Sequence, residues 1–418
     1  MPPLSASPIA AESGQMIECV MAPADGRQVE RVRLLLMTDT SIEFSGGSER
    51  FLRNLVTLLP RERYQITLVQ LDAGHQTDAD THLLSGLQHV TLVRLPVEAI
   101  YGRGGRRAWR QLSAMVRKNH YHIVQSHHEK SDLFNALLAL PSSCIRISNR
   151  RDMGFKKSGK LKWLFRQLNS RYDSVIAPAQ PILSELSRTE AVDSAKMLWI
   201  PNGVDTRKFL PWLENRRKTA RHSLSLDDDA IAFGCIARMA PEKRHVDLIS
   251  AFAQVHAHLP QARLFLVGDG PLHDEIQLQI SAAGLTEVVN LMGKRPDIES
   301  VLPALDVGLL ASCTEGMSNA ILEMMSCGLP VIATAVGGNP SLVQHESSGL
   351  LIPACQPDQL AQAMISLAHM PQQRRAMGKA GRSRIEREFS LDAMVHSFDQ
   401  TYQRLLQGKG INACADSP

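Results

Sequence analysis

No apolar run in this chain approaches the ~18 residues that cross a bilayer, so no spanning helix is expected. No Cys-x-x-Cys pair occurs either. The seven cysteines, Cys19, Cys144, Cys235, Cys313, Cys327, Cys355 and Cys414, are odd in number and scattered. That suggests neither a zinc site nor a disulfide frame and fits a reducing, cytoplasmic setting. The first 30 residues lack a basic start followed by an apolar core, so they read as a mobile leader and not as a signal peptide. The glycine-rich turns form no G-x-G-x-x-G fingerprint, which leaves a dinucleotide cofactor weakly supported.

What is present is the composition of a soluble globular enzyme, 44% hydrophobic and 21% charged. At 418 residues the chain is too long for one ordinary core, so two domains are expected. The net charge of +4 is unevenly spread: 26 Lys and Arg against 19 Asp and Glu in residues 1–200 give +7, and 20 against 23 give −3 in the remainder. Residues 101–171 alone hold 16 basic and 3 acidic side chains.

Apolar strands alternate with helical stretches throughout, which predicts α/β domains with parallel sheets and ligands at the strands' carboxyl ends. Strands are expected at 32–37, 64–71, 90–95, 122–126, 145–148, 174–177 and 197–200, then at 230–237, 263–267, 288–292, 306–311, 331–334 and 349–352. Helical patterns place Phe51, Leu52, Leu55, Leu58 and Leu59 on one face, and Val246, Leu248, Ile249, Phe252 and Val255 on another. The tail reads as helices over 357–368, 372–389 and 391–406, the last capped by Ser390.

The central stretch is Glu315-Gly316-Met317-Ser318-Asn319-Ala320-Ile321-Leu322-Glu323. A helix is expected from about Ser318 to Cys327, with Ser318 or Asn319 as its cap. Glu315 then sits in the preceding loop, and Glu323 stands five residues past Ser318, roughly 7.5 Å along the axis at ~1.5 Å per residue. The carboxylates are too far apart for an acid/base pair. They suit the two ends of an elongated polyhydroxylated ligand, with free backbone N–H groups between them to receive an anion.

Other candidates lie at strand ends. Arg238 and Lys243, five residues apart, offer a planar fork and a movable point charge for a diphosphate. Gly46 and Gly47 let a phosphate or sugar approach the backbone, although paired glycines also serve as a plain tight turn. Of His127 and His128, His127 is preferred as a residue facing the cleft. Pro201-Asn202-Gly203-Val204-Asp205 reads as the turn between domains, and Asp227-Asp228-Asp229 as a solvated turn at the wrong end of its strand for a cleft. Arg103, Arg106, Arg107 and Arg110 surround Trp109, and Lys156, Lys157, Lys160, Lys162 and Arg166 surround Trp163, Leu164 and Phe165. This is the composition of a surface for anionic lipid or a phosphorylated acceptor, with a solvated helix face as the plain alternative. Nucleic acid would also favour the charge, but no recognition motif for it is present.

In their order, Gly46-Gly47-Ser48-Glu49-Arg50, Asn202-Gly203-Val204-Asp205, Arg238 with Pro241-Glu242-Lys243, Val267-Gly268-Asp269-Gly270-Pro271, Glu315 with Glu323, and Val336-Gly337-Gly338 resemble glycosyltransferase family 4. The resemblance covers residues 31–406. It implies a GT-B fold, two Rossmann-like domains facing a cleft: an acceptor domain over 31–200 and a donor domain over 201–385. The segment 386–410 would cross back to the first domain, with a 1–30 leader and a 411–418 tail outside the fold.

It further implies retaining transfer from a nucleotide-diphosphate sugar to a glycan or lipid-linked acceptor, without a cofactor or metal. Arg238 and Lys243 would hold the diphosphate, the amides of Met317, Ser318 and Asn319 would receive its phosphates, Glu315 would hold the sugar and Glu323 the ribose, and His127 would lie near the sugar. Peripheral contact with an anionic membrane through residues 101–171 is expected on the same ground. A GT-B-shaped nucleotide-sugar epimerase and a non-catalytic binding subunit remain open.

Overall fold

The computed structural model describes residues 27–29, 31–42, 46–71, 84, 87–151, 158–211 and 213–413. The leader expected over 1–30 falls outside these residues except at Arg27–Val29. There the expectation is corrected, because Arg27–Val29 pairs in parallel with Ile411–Ala413, Arg27 opposite Ile411. Residues 411–413 are thus strand where a tail was expected. Three-residue segments ordered by backbone pairing are too short to show a periodic pattern.

Two parallel sheets carry the rest. In the seven-stranded sheet the order is Val90–Arg94, Tyr64–Gln70, Val32–Thr38, Ile123–Ser126, Ile145–Asn149, Ser174–Ala177 and Met197–Trp199. The six-stranded sheet runs Val289–Leu291, Ala262–Val267, Ile231–Ile236, Val307–Leu310, Val331–Thr334 and Gly349–Ile352. Central strands such as Val32–Thr38 are apolar along most of their length because helices cover both faces. In each sheet the strand order reverses beside the first strand, between Val32–Thr38 and Ile123–Ser126 and between Ile231–Ile236 and Val307–Leu310. Such switch points open a crevice at the carboxyl ends.

The amphipathic helices bury the expected residues with two exceptions. Leu58 and Val246 are 43% and 42% exposed, and each lies in a terminal turn of its helix, Gly47–Leu58 or His245–His258.

Helix Leu391–Gly408, whose N-cap Ser390 accepts from Ala393 N at 3.1 Å, packs Met394, Phe398, Tyr402 and Leu406 into the core of the seven-stranded sheet. Each such buried side chain contributes about 1.5–3 kcal/mol. Asp399 of that helix accepts from Tyr64 Oη at 2.5 Å and pairs with Arg63. The two chain segments that join the sheets lie side by side: Val204 N donates to Phe389 O at 2.9 Å, and Leu391 N donates to Val204 O at 3.0 Å. No helix among the described residues is long and apolar enough to cross a membrane.

Candidate active site

Strand Val307–Leu310 delivers the chain to a loop that ends at the N-terminus of helix Asn319–Ser326. Ser318 is the N-cap, its Oγ accepting from Ile321 N at 3.3 Å. In the loop, Glu315 is 8% exposed, and its Oε1 receives Lys243 Nζ at 2.5 Å and Ser312 Oγ at 2.6 Å. Thr334 Oγ1 donates to Ser312 O at 2.6 Å and fixes that hydroxyl's backbone. Beneath the loop, Gly337 has φ +52°, and a Cβ there would stand 1.7 Å from Glu315 O. Only glycine fits, which is the structural reason for the Val336-Gly337-Gly338 segment.

Arg238 lies past the carboxyl end of Ile231–Ile236 and is exposed, with no ion pair among the described residues. Lys243 closes the short turn Pro241–Lys243, and its neighbour His245 is 3% exposed. Burial, and secondarily the charge of Lys243, pushes the imidazole of His245 down to about 4. Cys235 on the same strand end is buried, and its thiol is lifted to about 12.

Glu323 lies in the second turn of the helix and is 5% exposed. Its Oε1 pairs with Arg50 Nη1 of the first domain, the residue that follows Gly46-Gly47-Ser48-Glu49. Burial raises the carboxyl above its ordinary value, opposed by the charge and hydrogen bond of Arg50. Gly47 comes equally near: a Cβ on it would stand 3.0 Å from Asn319 Nδ2. Asn202 completes the bridge, donating through Nδ2 to Asn319 Oδ1 at 2.9 Å and accepting from Arg151 Nη2.

The two histidines separate. His128 is the N-cap of helix Glu129–Leu137, with Nδ1 3.1 Å from Thr38 Oγ1. His127 is 2% exposed and packs behind Phe51, with ring centroids 5.9 Å apart. Arg151 covers Phe51 with its guanidinium carbon 3.7 Å from the ring centroid, and burial lowers that guanidinium to about 9. The expectation that His127 faces the cleft is therefore corrected: an aromatic side chain stands in front of it.

Gly46, Gly47, Arg238, Lys243, Glu315, Met317, Ser318, Asn319 and Glu323 all line one cleft of about 580 Å³, and His127 does not. Arg50, Lys294 and Arg295 line it too and were missed in the sequence. Arg50 carried a signal, since it sits inside the glycine motif. Lys294 and Arg295 carried only their place after strand Val289–Leu291.

Away from the cleft, Arg103, Arg106, Arg107, Arg110, Lys160 and Arg166 are exposed. Tyr101, Trp109 and Trp163 are 79%, 39% and 64% exposed among them. Phe165, expected on that surface, is fully buried against Arg150, whose guanidinium carbon lies 4.3 Å from its ring centroid. Lys156 and Lys157 lie outside the described residues.

Comparison with known proteins matches this geometry to a family. The model for glycosyl transferases group 1 matches residues 216–384, and that for Glycosyltransferase Family 4 matches residues 45–208. A GDP-mannose-dependent monoacylated alpha-(1-6)-phosphatidylinositol monomannoside mannosyltransferase of Corynebacterium glutamicum is 33% identical over 204 residues, 47% of this chain and 53% of its own length. The chain thus spans about half the length of that relative. It spans 95% of a UDP-Gal:alpha-D-GlcNAc-diphosphoundecaprenol alpha-1,3-galactosyltransferase of Escherichia coli, which is 27% identical over 374 residues, 87% of this chain. Among solved structures, Anabaena HepE in complex with UDP and glucose shares the fold at a TM-score of 0.76 and 21% identity, over 89% of this chain and 99% of that one. With one family model on each half, two parallel-sheet domains and a shared cleft, the chain belongs to the group 1, family 4 glycosyltransferases.

Proposed function

We propose that this protein is a retaining glycosyltransferase that moves a hexose from a nucleoside-diphosphate sugar to a lipid-linked or glycan acceptor. One observation carries the reading: Arg238, Lys243 and a free helix N-terminus converge on a single cleft that also holds Glu315 and Glu323. Cations and amides at one place suit a diphosphate, and carboxylates on either side suit hydroxyls.

In the transfer, the bond from the anomeric carbon to the diphosphate oxygen breaks while the acceptor oxygen bonds to that carbon on the same face. The departing phosphate takes the acceptor's proton. Charge grows on the diphosphate, and Arg238, Lys243 and the amides of Met317, Ser318 and Asn319 meet it, so the rate effect is chiefly electrostatic. Glu315 holds the sugar hydroxyls and Glu323 the ribose. These groups supply the counter-charge themselves, and turnover is expected to persist in EDTA.

Incubation with labelled nucleotide sugars and a membrane extract tests the reading. Label in lipid or glycan supports it, an altered free nucleotide sugar means an epimerase, and binding without turnover means a binding subunit.

The acceptor is proposed to be an anionic lipid. Both relatives are named for phosphate-bearing lipid acceptors, a phosphatidylinositol mannoside and a diphosphoundecaprenol. The exposed Tyr101, Trp109 and Trp163 among arginines and lysines suit a headgroup layer. Sedimentation with phosphatidylglycerol vesicles but not with phosphatidylcholine vesicles is expected, and Trp163→Ala should weaken it several-fold. Equal sedimentation with both would sink the membrane proposal.

A further inference from the structure

A second cavity, of about 470 Å³, opens at the other end of the six-stranded sheet. Ile231, Leu305 and Pro330 line it, so it lies at the amino ends of strands Ile231–Ile236, Val307–Leu310 and Val331–Thr334, whereas Arg238 and Glu315 stand past the carboxyl ends. Helix Pro371–Glu388 contributes Arg374, Arg375, Lys379 and Arg382 to the lining. Asp228 and Asp229 line it too. The aspartate turn is at the wrong end of its strand for the donor cleft and at the right end for this one.

The cations are placed where helix physics disfavours them. Between Pro371 and Ile385 the helix carries five cations and no acidic residue. Its ion pairs, Arg382–Glu386, Arg384–Glu388 and Arg387–Glu388, all draw on carboxylates at its far end. Arg375 and Lys379 are exposed and four residues apart, so they are neighbours on one face, and like charges at that spacing repel. The aligned peptide dipoles near the helix N-terminus oppose cations as well.

Arg374 is held in place: its Nη1 donates to Leu367 O at 2.5 Å and to Ala368 O at 2.6 Å, at the end of helix Pro357–His369. Burial lowers its guanidinium below the ordinary value, Asp306 opposes this, and the charges of Arg217 and Arg375 add to the fall. The other two cations of the cavity are engaged, Arg217 with Asp306 at 2.7 Å, and Arg382 with Phe209 O at 2.7 Å and Ser326 O at 2.6 Å. Arg374, Arg375 and Lys379 thus converge on one space without an ion-pair partner among the described residues. Asp228 and Asp229, both exposed, also have none, so carboxylates and cations share the cavity without neutralising each other directly.

We propose that this cavity is a second ligand site, which binds a sugar phosphate: Arg375 and Lys379 take the phosphate beside the fixed Arg374 guanidinium, and Asp228 and Asp229 accept from the sugar hydroxyls. A bare phosphate answers only the cations, and a neutral sugar only the carboxylates. One molecule carrying both groups satisfies both sets, and charge-assisted hydrogen bonds to phosphate are the stronger share. The site is distinct from the donor cleft, with the sheet standing between them.

Titration calorimetry of the full chain with glucose 6-phosphate, inorganic phosphate and glucose tests the proposal. Glucose 6-phosphate should bind about tenfold more tightly than inorganic phosphate, and glucose should give no saturable heat. Arg375→Gln with Lys379→Gln should weaken glucose 6-phosphate at least about tenfold. Arg238→Ala, which takes a cation from the donor cleft, should leave it within about twofold. Asp228→Asn with Asp229→Asn should remove the preference over inorganic phosphate. All four residues are exposed, so these variants should melt within about a degree of the parent. Should the Arg375 and Lys379 pair melt lower, Lys379→Glu alone takes its place with the same expected loss.

No saturable heat from glucose 6-phosphate up to about 10 mM overturns the proposal. So does an affinity that survives Arg375→Gln with Lys379→Gln, or one that is lost in Arg238→Ala instead, which would put the probe in the donor cleft. Equal affinity for inorganic phosphate and glucose 6-phosphate overturns the sugar half and leaves an anion site only.

Discussion

Arg238→Ala is expected to lower kcat by about 10²–10³-fold while leaving the melting temperature within about a degree of the parent. The rate loss is that of removing one preorganised donor from a developing oxyanion. Stability is spared because Arg238 is exposed and has no ion pair among the described residues, and exposed substitutions usually change stability by less than about 0.5 kcal/mol. Lys243→Ala should lose a comparable rate but also stability. Among the described residues, Glu315 keeps only Ser312 Oγ as a side-chain partner once Lys243 Nζ is gone, and an under-satisfied buried group costs roughly 1–3 kcal/mol. Initial rates with labelled donor, read beside calorimetric melts, separate the two variants. An Arg238→Ala enzyme within fivefold of the parental kcat would remove the diphosphate assignment.

Glu323→Gln should raise the donor's dissociation constant by about 10–100-fold, the loss of charged hydrogen bonds of ~1.5–3 kcal/mol. It should nevertheless leave the fold as stable at pH 7, or more so. The sign follows from the raised carboxyl. Between 4.5 and the raised folded value the unfolded chain has lost this proton while the folded chain still holds it, so the group's stabilising contribution is full below 4.5 and is lost as pH rises through the folded value. Glutamine has no proton to lose, and the stability gap in its favour should widen in urea titrations as pH rises above 4.5 and level off once the folded carboxyl has also ionised. Arg50 opposes this by giving up its partner, which is 7% exposed against its own 40%. Nucleotide titration calorimetry reads the affinity, and a dissociation constant within twofold of the parent would take the ribose away from Glu323.

Both variants address residues that were legible in the sequence, because their placement is local. A strand, a loop and a capped helix are enough to set Glu315 and Glu323 along one axis, and a strand end is enough to set Arg238 and Lys243 beside them. What could not be read is what the long-range packing brings. Arg50 meets Glu323 from 273 residues away, Tyr402 meets Gln125 from 277, and Asn202, read only as part of a turn, meets Asn319 from 117. No periodicity or spacing encodes such contacts. The burial of His127 depends on Phe51, a helix residue whose pattern marks it as apolar without saying what it covers. Phe165 was placed on the basic surface because its neighbours in sequence are basic, but a helix turns about 100° per residue and carries it inward.

The paired backbone at Val204 and Phe389–Leu391 means that everything between these points leaves and re-enters the first domain at one spot. Residues 205–389 thus form an insertion, a cassette with both attachment points adjacent, and the natural unit of exchange is that cassette and not the C-terminal half of the chain. A chimera cut once near residue 200 would import a foreign crossover helix into a core shaped for Phe398, Tyr402 and Leu406. One cut at both points would keep the native helix and the core it completes, while replacing the six-stranded sheet and its helices alone.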